Sequence, residues 1–131
     1  MNFSTSPEFD RDLKSLIKKW RSLADDFIPV KKTLPLLYSV QADETEADFR
    51  ARRAQFFNNK RATILQTTDN GNEVVKMRLD CVSLGNKNVL RLIFVYIKKG
   101  DEVVFVELFT KNDKNREDSR RFSRYVIHDA E

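Results

Sequence analysis

Three runs rich in Val, Ile, Leu and Phe occupy the second half of the chain and constrain its fold more than any other feature. They extend from Glu73 to Cys81, from Val89 to Lys98 and from Glu102 to Thr110. β-Branched and aromatic residues favour the pleated surface of a sheet. Lys99-Gly100-Asp101 makes a tight turn between the last two runs, and Ser83 to Asn88 makes a looser one between the first two. The sequence therefore predicts a meander of antiparallel strands.

Two shorter segments also have the character of strands. Ala62 to Thr67 suits a strand, and the following Asp69-Asn70-Gly71-Asn72 contains Asn-Gly, the strongest short signal for a hairpin. At the start of the chain, Asn2 to Thr5 also suits a short strand.

The first third of the chain carries the pattern of an amphipathic helix. Ser6 is a suitable N-cap and Pro7 suits the first helical position. Apolar residues then recur at helical spacing from Phe9 to Phe27, which predicts one long helix. Pro29 ends or kinks this helix, and a second, shorter helical segment is predicted from Val30 to Tyr38.

Two more helices complete the prediction. Phe49 to Phe57 suits a short helix, and a C-terminal helix capped by Asn112 or Asp113 is expected to reach about Ile127. The predicted fold class is α+β, with a small antiparallel β-sheet, N-terminal helices packed on one of its faces and a C-terminal helix. We predict one domain over residues 1–131, with an insertion at about 39–60.

Composition excludes several classes of protein. No apolar run approaches the ~20 residues of a membrane span, and the first residues lack the pattern of a signal peptide, so we expect a cytoplasmic protein without a membrane partner. Cys81 is the only cysteine and His128 the only histidine, which excludes an internal disulfide and a Cys/His zinc site. We expect no cofactor and no metal. The net charge of +4 is compatible with a polyanionic partner.

The alternation of side chains along the strands predicts a cationic cluster. Lys76 and Arg78 share one face of their strand, Arg91 is a lone charge among aliphatic residues on the next, and Lys111 follows the third. Strict alternation also places Glu107 on the same face as Phe105 and Phe109. Clustered cations repel one another and favour the neutral form of a lysine, and a phosphodiester would relieve the repulsion. Alternatively, these residues are ordinary solvent-facing side chains paired with Glu73, Asp80 or Glu107.

The basic strand motifs resemble those of the RelE/HigB/ParE superfamily of type II toxin–antitoxin toxins. The resemblance rests on Val75-Lys76-Met77-Arg78-Leu79, on Val89 to Phe94, and on Val103 to Phe109 with the basic turn Thr110 to Lys114 that follows. Together with the N-terminal strand and helices, it covers almost the whole chain. The fold that the resemblance implies is the RelE-like arrangement.

The activity that the resemblance implies is an mRNA interferase, a metal-independent endoribonuclease that cleaves messenger RNA on the ribosome by attack of a 2′-hydroxyl on the neighbouring phosphate. Lys76 and Arg78 would be the base and its electrostatic partner, Arg91 would hold the phosphate, and Lys111 or Asp113 would contribute from the turn. A cognate antitoxin protein is the implied partner. The remaining basic and aromatic residues are candidates for RNA contact: Arg50, Arg52, Arg53, Lys60, Arg61, Lys114 and Tyr125.

Two other functions fit the same sequence. A ParE-like toxin shares the fold but inhibits gyrase by binding it, and fold alone does not separate the two. A non-catalytic RNA-binding or ribosome-associated module would use the basic segments for phosphate contacts only. A metal-dependent nuclease is poorly supported, because Glu107 and Asp113 are isolated carboxylates.

Overall fold

Four α-helices and one five-stranded sheet make up the described part of the computed structural model, which comprises residues 1–58, 61–85, 87, 89–114 and 116–127. In chain order the helices and strands are β1 (Asn2–Thr5), α1 (Pro7–Ile17), α2 (Leu23–Leu37), α3 (Glu46–Asn58), β2 (Ala62–Thr67), β3 (Glu73–Leu79), β4 (Leu90–Ile97), β5 (Glu102–Thr110) and α4 (Ser119–Ile127). The α+β fold class is confirmed. Within the described ranges, no helix is long and apolar enough to cross a bilayer.

The sheet is mixed rather than purely antiparallel. Its strand order is β1-β5-β4-β3-β2, and the meander from β2 to β5 is antiparallel as predicted. However, β1 pairs with β5 in parallel, with Asn2 opposite Glu102 and Thr5 opposite Phe105. The predicted antiparallel sheet is therefore extended at this edge by one parallel strand. Because β1 and β5 are far apart in the chain, no tight turn fixes their relative direction.

The predicted long N-terminal helix is instead two helices. Ser6 caps α1 as expected, since its Oγ accepts the N–H of Phe9 at 3.1 Å. The chain leaves the helix after Ile17, and α2 begins after Ser22, whose Oγ accepts the N–H of Ser83 at 2.8 Å. This contact with the β3–β4 connection is non-local, so helical spacing alone did not reveal the break.

The helix end predicted at Pro29 is not found. The helix α2 continues through Pro29 and Pro35 to Leu37. Each proline removes a backbone hydrogen bond. The loss is offset by the apolar side of α2, which is buried against the sheet at Phe27, Val30, Leu34 and Leu37.

Helices cover both faces of the sheet. On one face, α1 and α2 pack against a cluster that includes Val75, Leu92 and Phe105. On the other face, which we term the α4 face, Phe122 and Val126 of α4 pack against a smaller cluster of strand residues: Val74, Ile93, Val95, Val104, Val106 and Phe109. The helix α4 begins at Ser119 and not at Asn112 or Asp113 as predicted, because the segment before it is held by contacts to β5.

An irregularity in β5 changes which side chains reach the α4 face. Ile93 lies opposite Glu107 and Phe94 lies opposite Phe105, which leaves Val106 as an extra residue, a β-bulge. Val106 and Glu107 consequently both lie on the side of Ile93, whereas strict alternation had separated Glu107 from Val106. The bulge therefore places a carboxylate on the face that carries the predicted cations.

Candidate functional site

Three of the predicted catalytic cations lie together at one end of the α4 face. Lys76 and Arg78 are two residues apart on β3, and Arg91 on β4 lies directly opposite Arg78. Lys76, opposite Ile93, is on the same face. We call Lys76, Arg78 and Arg91 the basic cluster. Its three side chains are each partly exposed, so an anion from solvent can reach them.

Arg78 and Arg91 form a close pair of like charges. The N–H of Arg78 donates to the carbonyl of Arg61 on the β2 side at 2.8 Å. In an antiparallel sheet this makes Arg78–Arg91 a non-hydrogen-bonded pair, the type in which opposite Cα atoms are only about 4.5 Å apart. Burial lowers the pKa of Arg91, and repulsion from Arg78 lowers it further. Like charges directly opposite each other destabilise a sheet.

No acidic side chain in the described part of the chain lies within ion-pair distance of Arg78. The carboxylates that were candidates to neutralise the cluster have other partners. Glu73 pairs with Arg53, Asp80 with Arg61 and Glu107 with Lys114. The Arg78 guanidinium is therefore available for an external anion.

Lys76 differs from Arg78 because it has an acidic partner. Its Nζ lies 3.5 Å from Oε1 of Glu117, and the two side chains are only 24% and 17% exposed. The Nζ of Lys76 also lies 5.8 Å from the centre of the Phe109 ring, and that of Lys114 lies 5.0 Å from it. Phe109 thus has two ammonium groups near its ring, at the side of the basic cluster nearest β5.

Glu107 holds the segment that carries Glu117. It is 1% exposed, forms an ion pair with Lys114, and accepts the N–H of Asp118 at 2.8 Å. A buried carboxylate without such partners would be strongly unfavourable. These contacts hold one residue before Glu117 and one residue after it. They therefore position the Glu117 carboxylate beside Lys76.

The other predicted catalytic residues lie in the turn after β5. The N–H of Lys111 donates to the carbonyl of Val89 at 2.7 Å, which places its backbone at the end of the sheet where Arg91 lies. The side chains of Lys111 and Asp113 are exposed, and the N–H of Asp113 donates to Oγ1 of Thr110. The structure therefore brings this turn near the basic cluster, without a direct contact between Asp113 and its cations.

The predicted RNA-contacting arginines of α3 lie elsewhere. Arg53 binds Glu73 and stacks near Tyr38 and Phe57, at the opposite end of β3 from Arg78. Arg52 donates to both carboxylate oxygens of Glu44, at 2.8 and 2.9 Å, and to the Leu36 carbonyl. Both side chains tie α3 to the end of α2.

The remaining candidates for RNA contact differ in position. Arg50 is exposed on α3, 4.0 Å from Glu46. Arg61 is bound to Asp80 and lies next to Arg78 across the β2–β3 pairing. Tyr125 is partly buried beneath the guanidinium of Arg124, and Lys60 lies outside the described residues.

A groove between α2 and β3 borders the basic cluster. Its walls include Pro29 and Val30 on one side, and Arg61, Arg78 and Lys87 on the other. Lys76 and Arg91 do not line it, so it meets the basic cluster only at Arg78. The cations converge at the basic cluster, and the groove lies beside it.

Sequence reasoning missed Glu117 and misplaced Glu107. The position of Glu117 depends on the irregular segment after β5, and that of Glu107 on the bulge at Val106. The sequence showed only that Glu107 and Glu117 are acidic residues near a basic segment of the chain. Among the described residues, no group of His, Cys, Asp or Glu side chains is arranged to hold a metal ion.

No family model matches the chain, and no curated protein matches it.

Proposed function

We propose that the protein binds RNA through the basic cluster and cleaves it, acting as the toxin of a type II toxin–antitoxin pair on ribosome-bound messenger RNA. The observation that carries the proposal is the Arg78–Arg91 pair. Two arginines directly opposite each other cost stability, and Arg78 has no acidic partner among the described residues. A phosphodiester would relieve this repulsion, since guanidinium groups bind phosphate oxygens in a bidentate manner.

The chemistry of the cluster fits phosphoryl transfer without a metal. When a 2′-hydroxyl attacks the neighbouring phosphate, negative charge accumulates on the phosphate oxygens. Fixed positive groups aimed at that charge stabilise the transition state more than the ground state. Arg78 and Arg91 supply such groups, and Lys76, two residues from Arg78 along β3, supplies an ammonium on the same surface.

The proposed activity implies a location in the cell and a partner protein. A ribosome-dependent nuclease acts in the cytoplasm and needs an inhibitor, so we propose an antitoxin that covers the basic cluster. An acidic segment of the antitoxin would pair with the Arg78 guanidinium in place of the RNA phosphate.

The decisive experiment adds purified protein to a ribosome-containing translation mix and follows the length of a labelled messenger RNA. We expect truncated RNA with the wild-type protein, and a loss of at least about 100-fold in cleavage rate for Arg78→Gln. The double variant Lys76→Ala/Arg91→Ala should also lose growth inhibition on overexpression while keeping its circular dichroism spectrum. Lys99→Gln, in the exposed β4–β5 turn, is the matched control and should cleave normally.

The same assay separates the two other functions. A non-catalytic RNA-binding module would shift the mobility of the RNA and leave its length unchanged. A gyrase-inhibiting toxin would do neither, and would instead block supercoiling by purified gyrase. Either result with intact wild-type protein would refute the nuclease proposal.

A further inference from the structure

Among the described residues, Glu117 is the only acidic side chain in ion-pair contact with the basic cluster, and its partner there is Lys76. The distance from Nζ to Oε1 is 3.5 Å, and neither side chain is fully buried. The Nζ of Lys76 donates a hydrogen bond to this carboxylate oxygen, so the lysine is the donor of the pair. Lys76 is therefore poorly suited to the role of neutral base that the family resemblance implies. In this pair the group able to accept a proton is Glu117.

The structure holds Glu117 in place from both sides. Lys114 and Asp118, three residues before it and one residue after it, both contact the buried carboxylate of Glu107. Glu107 itself is fixed on β5 by the bulge at Val106. Two contacts to one buried carboxylate of β5, from Lys114 and from Asp118, are more than a solvent-facing ion pair requires. They are what a general base needs, because proton transfer depends on a position within hydrogen-bond reach of the substrate.

We propose that Glu117 is the general base, and Lys76 the general acid, of the RNA cleavage proposed above, on which this inference rests. The 2′-hydroxyl gives its proton to the Glu117 carboxylate while its oxygen forms a bond to phosphorus. The bond from phosphorus to the 5′-oxygen breaks, and that oxygen takes a proton from the Lys76 ammonium. The products are a 2′,3′-cyclic phosphate and a 5′-hydroxyl.

The same two residues can also restore their starting protonation states after each turnover. After one turnover Glu117 is protonated and Lys76 is neutral, and the proton returns across the 3.5 Å between them. No external acid, base, metal or oxidant is consumed. During the reaction Arg78 and Arg91 keep their charge, so their contribution is electrostatic. Glu117, Lys76 and the arginine pair therefore have three different tasks.

The test is single-turnover cleavage of ribosome-bound messenger RNA by wild-type protein and by Glu117→Gln, measured from pH 6 to pH 8.5. Glutamine retains the size of the side chain and removes the base. We expect a loss of about 100-fold to 10,000-fold at pH 7. The residual rate should rise steeply with pH, since hydroxide then replaces the missing base, and formate should partly restore cleavage by Glu117→Ala. Glu102→Gln, at the other end of β5, is the matched control and should behave as wild type.

Several results would overturn the inference. An unchanged rate would show that Glu117 is not needed, and a faster rate would show that it only masks Lys76. A slower rate with the pH dependence of the wild type would reduce Glu117 to a positioning residue. These outcomes all require active wild-type protein. Failure of the wild type to cleave would instead refute the proposed function and this inference with it, so the two failures are distinguishable.

Discussion

Asp12 on α1 and Arg121 on α4 form an ion pair at 2.5 Å, which joins two helices that pack on opposite faces of the sheet. The same Asp12 oxygen accepts the N–H of Leu108 at 3.0 Å. Leu108 lies beyond the last residue of β5 that pairs with β1, which is Phe105. Asp12 therefore provides a hydrogen-bond acceptor for a backbone N–H of β5 that has no partner on β1. A second ion pair, between Arg124 and Glu8, also joins α4 to α1.

The first prediction concerns this edge. Asp12→Ala removes the acceptor of the Leu108 N–H and the partner of Arg121, and we expect the free energy of unfolding to fall by about 1–3 kcal/mol. Urea denaturation measures this change. Asp10→Ala, an exposed substitution on the same helix, is the control and should cost less than about 0.5 kcal/mol. Equal losses in the two variants would show that the Asp12 contacts contribute nothing specific.

The second prediction separates stability from function in the basic cluster. Arg78→Gln removes the repulsion that acts on Arg91, so we expect the fold to be as stable as wild type or up to about 1 kcal/mol more stable. Salt should stabilise the wild type more than the variant, because it screens the same repulsion. Urea denaturation at low and high sodium chloride tests both points. A large loss of stability would show that Arg78 is a structural residue.

The third prediction concerns pH. The hydrogen bond from Arg52 holds the pKa of the partly buried Glu44 carboxyl at about 2, below its ordinary value near 4.5. A lowered folded-state pKa means that the stabilisation is present above pH 4.5 and is lost as the pH falls towards 2. NMR titration should show the Glu44 carboxyl titrating near 2 in the wild type and nearer 4.5 in Arg52→Gln. An unchanged titration in the variant would contradict the assigned cause.

The fourth prediction concerns the attachment of α3. No side chain of α3 is fully buried, and Arg53 links the helix to Glu73 and to the Leu37 carbonyl. We expect Arg53→Gln to accelerate amide hydrogen exchange across α3 while leaving β3 to β5 protected. Arg50→Gln, an exposed substitution on the same helix, should not do so. If Arg53→Gln instead weakened RNA binding with α3 intact, the arginine would belong to the RNA interface as the sequence predicted.

The sequence by itself determined the elements whose signals are local. Ser6 and Pro7 start α1, Asn70-Gly71 makes the turn between β2 and β3, and the alternating runs form β3, β4 and β5. Each signal acts over a few residues, through a cap, a turn conformation or the two-residue period of a strand. The same period placed Lys76 and Arg78 on one face, and the strand register then set Arg91 opposite Arg78.

Only the tertiary structure decided the features that depend on distant contacts. Ser22 meets Ser83 where the predicted long helix breaks, and β1 joins β5 in parallel. The bulge at Val106 turns Glu107 to the α4 face, and Glu107 in turn fixes the segment that brings Glu117 to Lys76. None of these has a local signal, because each is stabilised by burial or hydrogen bonding between residues far apart in the chain. The cations of the site were readable from the sequence, whereas the carboxylate beside them was not.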